Sequence, residues 1–291
     1  MNDYMIRGTA ANDTVRAFAC TTKEMVEQMH EYHDTWPVVT AALGRLMTAG
    51  SMMGVMMKGD RDKLTLQIKS DGPVGGLVVV AGSNGNVKGM AFNNQVEETY
   101  IRPGKLNVGA AVGKGRLTVV KDLGLREPYV GTVALASGEI AEDLTYYFAE
   151  SEQVPSVVAL GVLVDTDCSV KEAGGFIIQL MPDAPEEVIS TIEKKISGIK
   201  SVTEMLEEGK KPEDMLSLVL GDLNLQIMEK YTPQYECDCS RERMEKALLS
   251  IGKKDLQSLF DEGEPVEMCC EFCDKKYTFS HDEVGELLKR S

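Results

Sequence analysis

Two short stretches near the end of the chain, "CDCS" (237–240) and "CEFC" (270–273), hold four of its seven cysteines, and 30 residues separate Cys239 from Cys270. Thiolates in two close pairs can surround one zinc ion, which prefers four ligands in a tetrahedron at about 2.3 Å. Sulfurs on that tetrahedron lie under about 4 Å apart, whereas side chains two apart on a straight strand are separated by about 6.6 Å. Cys237 and Cys239 are therefore expected on a bend. Cys270 and Cys273, at a common zinc-ligand spacing, fit a knuckle between strands. Without a metal the two pairs would be incidental clusters. Cys269 competes as a ligand through its C-x3-C spacing to Cys273. Cys270 is preferred, because a strand entering the knuckle turns Cys269 the other way, where it is expected as a small buried hydrophobe. Cys20 and Cys168 stand alone in apolar surroundings and are expected in the core.

Four thiolate ligands leave zinc no open position for a catalytic water, which argues against hydrolysis and leaves a structural site or a sensor. The spacing favours a sensor. A metal-bound thiolate stays deprotonated and nucleophilic towards oxidants, and each cysteine has a neighbour with which to close a disulfide. A C-x-C disulfide would be strained and hence readily reduced again. Oxidation would eject the metal, and a tail folded around that metal would lose its order.

The elements that must position these thiols fall into three segments. Residues 1–181 are expected to form an α+β domain. "KLTLQIKS" (63–70) and "GRLTVVKD" (115–122) alternate as strands, "SNGN" (83–86) marks a turn, and residues 37–59 read as a long buried helix. Residues 182–232 read as a metastable helical linker, with 17 of 51 residues charged. Its first helix runs from Asp183 with Glu186 three residues on, carries Val188, Ile189, Ile192 and Ile196 on one face, and stops near Gly198. The second opens on a Ser201–Glu204 capping box and ends at Gly209; the third starts around Pro212 and ends near Gly221. Helices this short depend on packing for their stability. Residues 233–291 form the cysteine-bearing tail, with a helix from Ser240 to Ile251, a turn at 255–260, and then strand, knuckle, strand and a helix opened by Ser280 and Glu283. A tail with so little core needs a staple, and a structural metal is one.

Composition narrows the function. A net charge of −15 and a pI near 4.8 repel phosphate backbones and argue against nucleic acid as the partner. No uninterrupted apolar run of bilayer length and no signal peptide stand out, so a cytosolic location with reduced thiols is expected, with no membrane partner. "GAAVGKG" (109–115) lacks the spacing and the hydroxyl residue of a phosphate loop. "HEYH" (30–33) is expected on an exposed helix face, and the methionines of "MTAGSMMGVMM" (47–57) as filling in a core helix rather than as a promiscuous surface. Three histidines suggest no Ser-His-Asp set.

The cysteine pattern, together with "CDCSRER" (237–243) and "YYFAESEQVPS" (146–156), resembles the 33 kDa chaperonin family, the redox-regulated heat-shock chaperones, and the order of large domain, helical linker and cysteine tail agrees along the whole chain. The resemblance implies a holdase and not an enzyme. It implies one zinc ion per chain on Cys237, Cys239, Cys270 and Cys273 in a reduced, inactive form. It further implies that oxidation links Cys237 to Cys239 and Cys270 to Cys273, releases zinc, unfolds tail and linker, and yields a homodimer that holds unfolded client proteins without ATP. Two rivals remain on the residues alone: a zinc-ribbon module for RNA or the ribosome, against which the acidic charge counts, and a thiol oxidoreductase using "CEFC", which would need that motif to open a helix.

Overall fold

Leu64, Leu66 and Ile68 alternate with exposed or half-buried neighbours along Lys63–Ser70, so one face of that strand enters the core. The same logic repeats through the first of two units of the computed structural model, which describes residues 2–97, 99–102 and 104–290. The units are residues 1–236 and 237–291. In order, the first contains β1 (Tyr4–Ala10), β2 (Val15–Thr21), α1 (Lys23–His33), α2 (Pro37–Val55), β3 (Lys63–Ser70), β4 (Gly76–Gly82), β5 (Val87–Ala91), β6 (Tyr100–Arg102), β7 (Lys105–Leu106), α3 (Val108–Val112), β8 (Gly115–Asp122) and β9 (Tyr129–Ala134). It continues through α4 (Ile140–Tyr147), β10 (Ser156–Val164), β11 (Val170–Leu180), α5 (Glu186–Ile196), α6 (Val202–Glu207), α7 (Pro212–Leu220) and β12 (Gln226–Tyr231).

Two five-stranded antiparallel sheets, ordered β10-β11-β2-β1-β12 and β5-β4-β3-β8-β9, make the expected α+β architecture. Helix α2 lies between them, apolar on every side and buried along nearly its whole length. By length and composition α2 would pass as a membrane span; here it is the core helix. Its methionines fill that core, Met47 and Met52 fully buried, in agreement with the packing role expected of them. Gly54 lets α2 approach β4, since a Cβ there would stand 2.4 Å from the Gly82 carbonyl oxygen.

The opposite face of the first sheet is covered by the helices of residues 182–232. Ile6, Ala17, Ala19, Phe176 and Ile178 from the sheet meet Ile192, Met205, Leu206, Leu216, Val219 and Leu220 in a second core. Helices α6 and α7 fall where their start and stop signals place them, and α6 has the full Ser201–Glu204 capping box. Helix α5 differs at its start: Pro185 is its N-cap, without a side-chain cap, so Asp183 plays no part. The segment also contains a strand that no local pattern announces. β12 pairs antiparallel with β1, Met5 opposite Tyr231, and presents almost only exposed residues.

Two histidine and cysteine expectations are corrected. His33 is buried, not on an exposed face, with Nε2 at 3.0 Å from the Gly89 carbonyl oxygen. Cys168 is half-buried in the β10–β11 turn with φ 71°, while Cys20 is fully buried as expected.

The second unit comprises α8 (Arg241–Ser250), α9 (Lys253–Asp261), β13 (Val266–Cys269), β14 (Lys276–Phe279) and α10 (His281–Arg290). The turn expected at 255–260 is a full helix, α9. The Ser280–Glu283 capping box is present, with Ser280 N–H donating to Glu283 at 2.8 Å. Leu248, Leu256, Tyr277, Phe279, Val284 and Leu287 form its small core.

Candidate metal centre

β13 and β14 pair antiparallel, Met268 opposite Tyr277 and Cys269 opposite Lys276, and the chain between them must reverse within a few residues. Cys270 N–H donates to the Lys275 carbonyl at 3.0 Å, and the amides of Cys273 and Asp274 return to the Cys270 carbonyl at 3.2 and 2.9 Å. Asp274 takes the left-handed conformation, φ 54°, that closes this knuckle. Cys270 and Cys273 thereby face the same way. Cys269, one residue earlier on the strand, points elsewhere, as alternation requires, but to solvent: it is exposed, not the buried hydrophobe expected.

The other pair lies on irregular chain just before α8, off any regular strand. The Cys239 amide bonds back to the Cys237 sulfur, and Asp238 is held at 2.7 Å by Arg243. Ser240 caps α8 by accepting from the Arg243 amide. Arg241 then ties this corner to the hairpin: its guanidinium lies 4.3 Å from the Phe279 ring centre, donates to the Thr278 carbonyl at 3.0 Å and pairs with Glu283 at 2.6 Å. Every residue of "DCSRER" up to Arg243 except Glu242 thus acts locally on the position of two sulfurs.

The four Sγ atoms of Cys237, Cys239, Cys270 and Cys273 all lie within 4.8 Å of one another. Cys237 and Cys270 are 3.6 Å apart, and Cys239 and Cys273 3.5 Å. Those separations suit a tetrahedron of sulfurs around one ion, under about 4 Å. The donor set is all thiol, the choice of zinc and other soft-ligand metals. Burial pushes the Cys237 thiol up, and pushes Cys273 up to about 11. Cys239 goes the other way: burial opposes its charge, but hydrogen bonds from Tyr277 and the neighbouring thiols outweigh it and lower its pKa. A bound cation is what would hold all four as thiolates.

Tyr277, on β14, was not legible as part of the site. Its hydroxyl stands 3.2 Å from the Cys239 sulfur, and that bond pushes its own pKa up to about 12. "CEFC" sits in the turn between strands and opens no helix, so it lacks the helix N-terminus that lowers a thiol pKa in C-x2-C oxidoreductases.

Fold and site together define a two-unit protein whose second unit carries a closed four-thiol centre, consistent with a metal site of structural or redox-sensing kind. A family model described as Hsp33 protein matches residues 3–280. A 33 kDa chaperonin of Agathobacter rectalis is 57% identical over 99% of this chain and 100% of its own. One of Lachnoclostridium phytofermentans is 56% identical over the full length of both. A crystal structure of the 33 kDa chaperonin of Thermotoga maritima, 37% identical, covers 100% of this chain and 99% of that one with a TM-score of 0.92. The chain belongs to the Hsp33 family, the redox-regulated 33 kDa chaperonins; it is a holdase chaperone, not an enzyme.

Proposed function

We propose that this chain is a cytosolic chaperone whose reduced form carries one zinc ion on Cys237, Cys239, Cys270 and Cys273 and is inactive, and whose oxidised form binds unfolded clients without ATP. The observation that carries this reading is the convergence of four sulfurs within 4.8 Å. The ion, when bound, supplies charge that keeps the thiolates deprotonated and ties the irregular chain before α8 to the knuckle. Each thiolate pair gives two electrons to an oxidant such as hydrogen peroxide, whose O–O bond breaks and which takes two protons from solvent to leave as two waters, and the two sulfurs join. Disulfides at Cys237–Cys239 and Cys270–Cys273 can no longer serve as four ligands, so the corner and the hairpin lose their common tie. The small core of the second unit then stands alone, and residues 182–232 loosen from the sheet they cover, uncovering apolar surface for clients and for a second copy of the chain.

The test measures zinc content, disulfide pairing by mass spectrometry and suppression of aggregation on one sample before and after peroxide. Close sulfur contacts also run across the pairs, Cys237 to Cys270 at 3.6 Å and Cys239 to Cys273 at 3.5 Å, so the pairing is itself a result. One zinc per reduced chain, lost as disulfides form and as activity and dimer appear, is the expected outcome. Activity that rises with zinc retained would overturn the scheme.

A further inference from the structure

The first unit carries a pocket of about 270 Å³, partly open to solvent, that the switch does not use. Its apolar wall is Met53, Met56 and Met57, at and just beyond the end of α2, with Phe148 behind α4. Methionines adapt to irregular apolar guests. Its polar wall is unusual for a chain of net charge −15, because cations outnumber acids there. Lys121 is spent on Glu152 at 2.5 Å, and Glu152 also accepts from the Tyr147 hydroxyl at 2.5 Å. Arg16 is not spent. Its Nε donates at 2.8 Å to Gln179, a fully buried neutral amide that is itself fixed by donating to Ser156 at 2.9 Å. Among the described residues no carboxylate is within ion-pair distance of Arg16 or of Lys58, the other cation on the rim. The carboxylate opposing them is Asp62, whose Oδ2 accepts from the Gly59 amide at 2.9 Å.

We infer that this cavity binds an amphipathic monocarboxylate, its short hydrocarbon tail among the three methionines and Phe148 and its carboxylate on the guanidinium of Arg16. A half-buried guanidinium held by a neutral amide keeps its terminal N–H groups for a ligand, and their fork matches a carboxylate. The volume falls just below the range of most ligand pockets, about 300–1,000 Å³, which suits a short or medium-length chain rather than a long lipid.

The test uses the full-length, reduced, metal-loaded chain with methyl-labelled methionine, titrated with octanoate and, separately, with 1-octanol, which has the same tail and no charge. Octanoate should shift the methyl signals of Met53, Met56 and Met57 to saturation at one equivalent and raise the thermal midpoint. Octanol should bind about tenfold or more weakly, the loss expected for one charge-assisted pair. Arg16→Gln should weaken octanoate about tenfold and leave octanol unchanged. Lys58→Ala, on an exposed side chain, should weaken octanoate more modestly, Asp62→Asn should tighten it, and Met57→Trp should block both ligands by filling the space. The proposal fails if no saturable shift appears, if shifts fall equally on methionines elsewhere, or if octanol binds as tightly as octanoate. Should Arg16→Gln not fold, the Lys58→Ala and Asp62→Asn pair decides the role of charge. None of these readouts involves oxidation or client binding, so they stand apart from the proposed switch.

Discussion

The two units hold their folds by different means. The first buries both faces of a sheet, one against α2 and the second sheet, the other against α5, α6 and α7. The second buries six side chains and gathers four thiols. A unit of 55 residues has too high a ratio of surface to volume for such a core to suffice without a staple. The contrast teaches where a redox signal can enter: a chemical change at four sulfurs acts on the unit whose own core is too small to hold alone, and leaves the two sheets and α2 of the other untouched.

The largest effect should come from the metal. Stripping a bound ion with a chelator should cost the second unit about 10 kcal/mol or more of folding free energy and unfold α8, α9 and α10 together, while replacing Cys270 by serine, which removes one ligand of four, should lower metal affinity sharply. Hydrogen exchange would then rise across residues 237–290 while β2, β3 and α2 keep full protection. Cys269→Ser should leave metal content unchanged, since the exposed Cys269 sulfur is outside the cluster. Equal loss from both serine variants would assign the wrong neighbour.

Within the first unit the same comparison can be sharpened, because its two faces are not equally secured. Helix α5 has one buried residue, Ile192, whereas α7 buries Met215, Leu216, Val219 and Leu220 and is tethered by the Tyr4 hydroxyl to Glu213 at 2.6 Å. Leu216→Ala should cost about 2–5 kcal/mol, the range for a buried leucine. If the linker stripe is the client surface, the reduced, metal-loaded variant should exchange faster over residues 186–220 and suppress aggregation in part without oxidant. Faster exchange with no gain in suppression would place the client surface elsewhere.

A smaller effect tests the other face. Asp3 is buried beside the start of α1, accepts from the Met25 amide at 2.9 Å, and leaves Oδ1 without a partner. Burial, the main cause, raises its pKa from 3.8 to about 6. A carboxyl raised in the folded state binds its proton more tightly there than when unfolded, so its cost is absent below about 3.8 and complete above about 6. Stability of the first unit should therefore fall as pH rises through that window. Asp3→Asn should flatten the fall and gain on the order of 2 kcal/mol at neutral pH. A denaturation midpoint at pH 7 no higher than that of the parent would refute this.

What was legible in the sequence is what is local. Capping boxes at Ser201–Glu204 and Ser280–Glu283 involve residues three apart, and the strands of residues 63–70 and 115–122 carry their own alternation. The cysteine spacing is local within each pair, and a tetrahedral metal on all four would supply the one long-range constraint that joins them. β12 was not legible because it has no buried face to impose a period; its partner β1 lies more than 200 residues away. His33 was misplaced because its acceptor is on β5, 56 residues on. The end of the apolar cavity is likewise assembled from five separate stretches of chain, none of which announces it.

Tyr277 belongs with these, and replacing it should give the smallest effect and the finest test of the second unit. Its ring is part of the small core while its hydroxyl reaches the Cys239 sulfur, so Tyr277→Phe removes one hydrogen bond and keeps the packing. A sulfur that accepts a hydrogen bond holds part of its charge away from the metal. The bond orients Cys239 but also makes it a weaker nucleophile. Losing an outer partner of this kind typically changes metal affinity about tenfold. The variant should thus fold, bind its ion about tenfold less tightly in a competition with a chromophoric chelator, and react faster with peroxide at Cys239. Rates that rise at Cys239 with those of Cys270 unchanged would place the effect at that one sulfur. A uniform rise at all four would mean instead that the phenylalanine loosens the whole unit, and the role given to the hydroxyl would be lost.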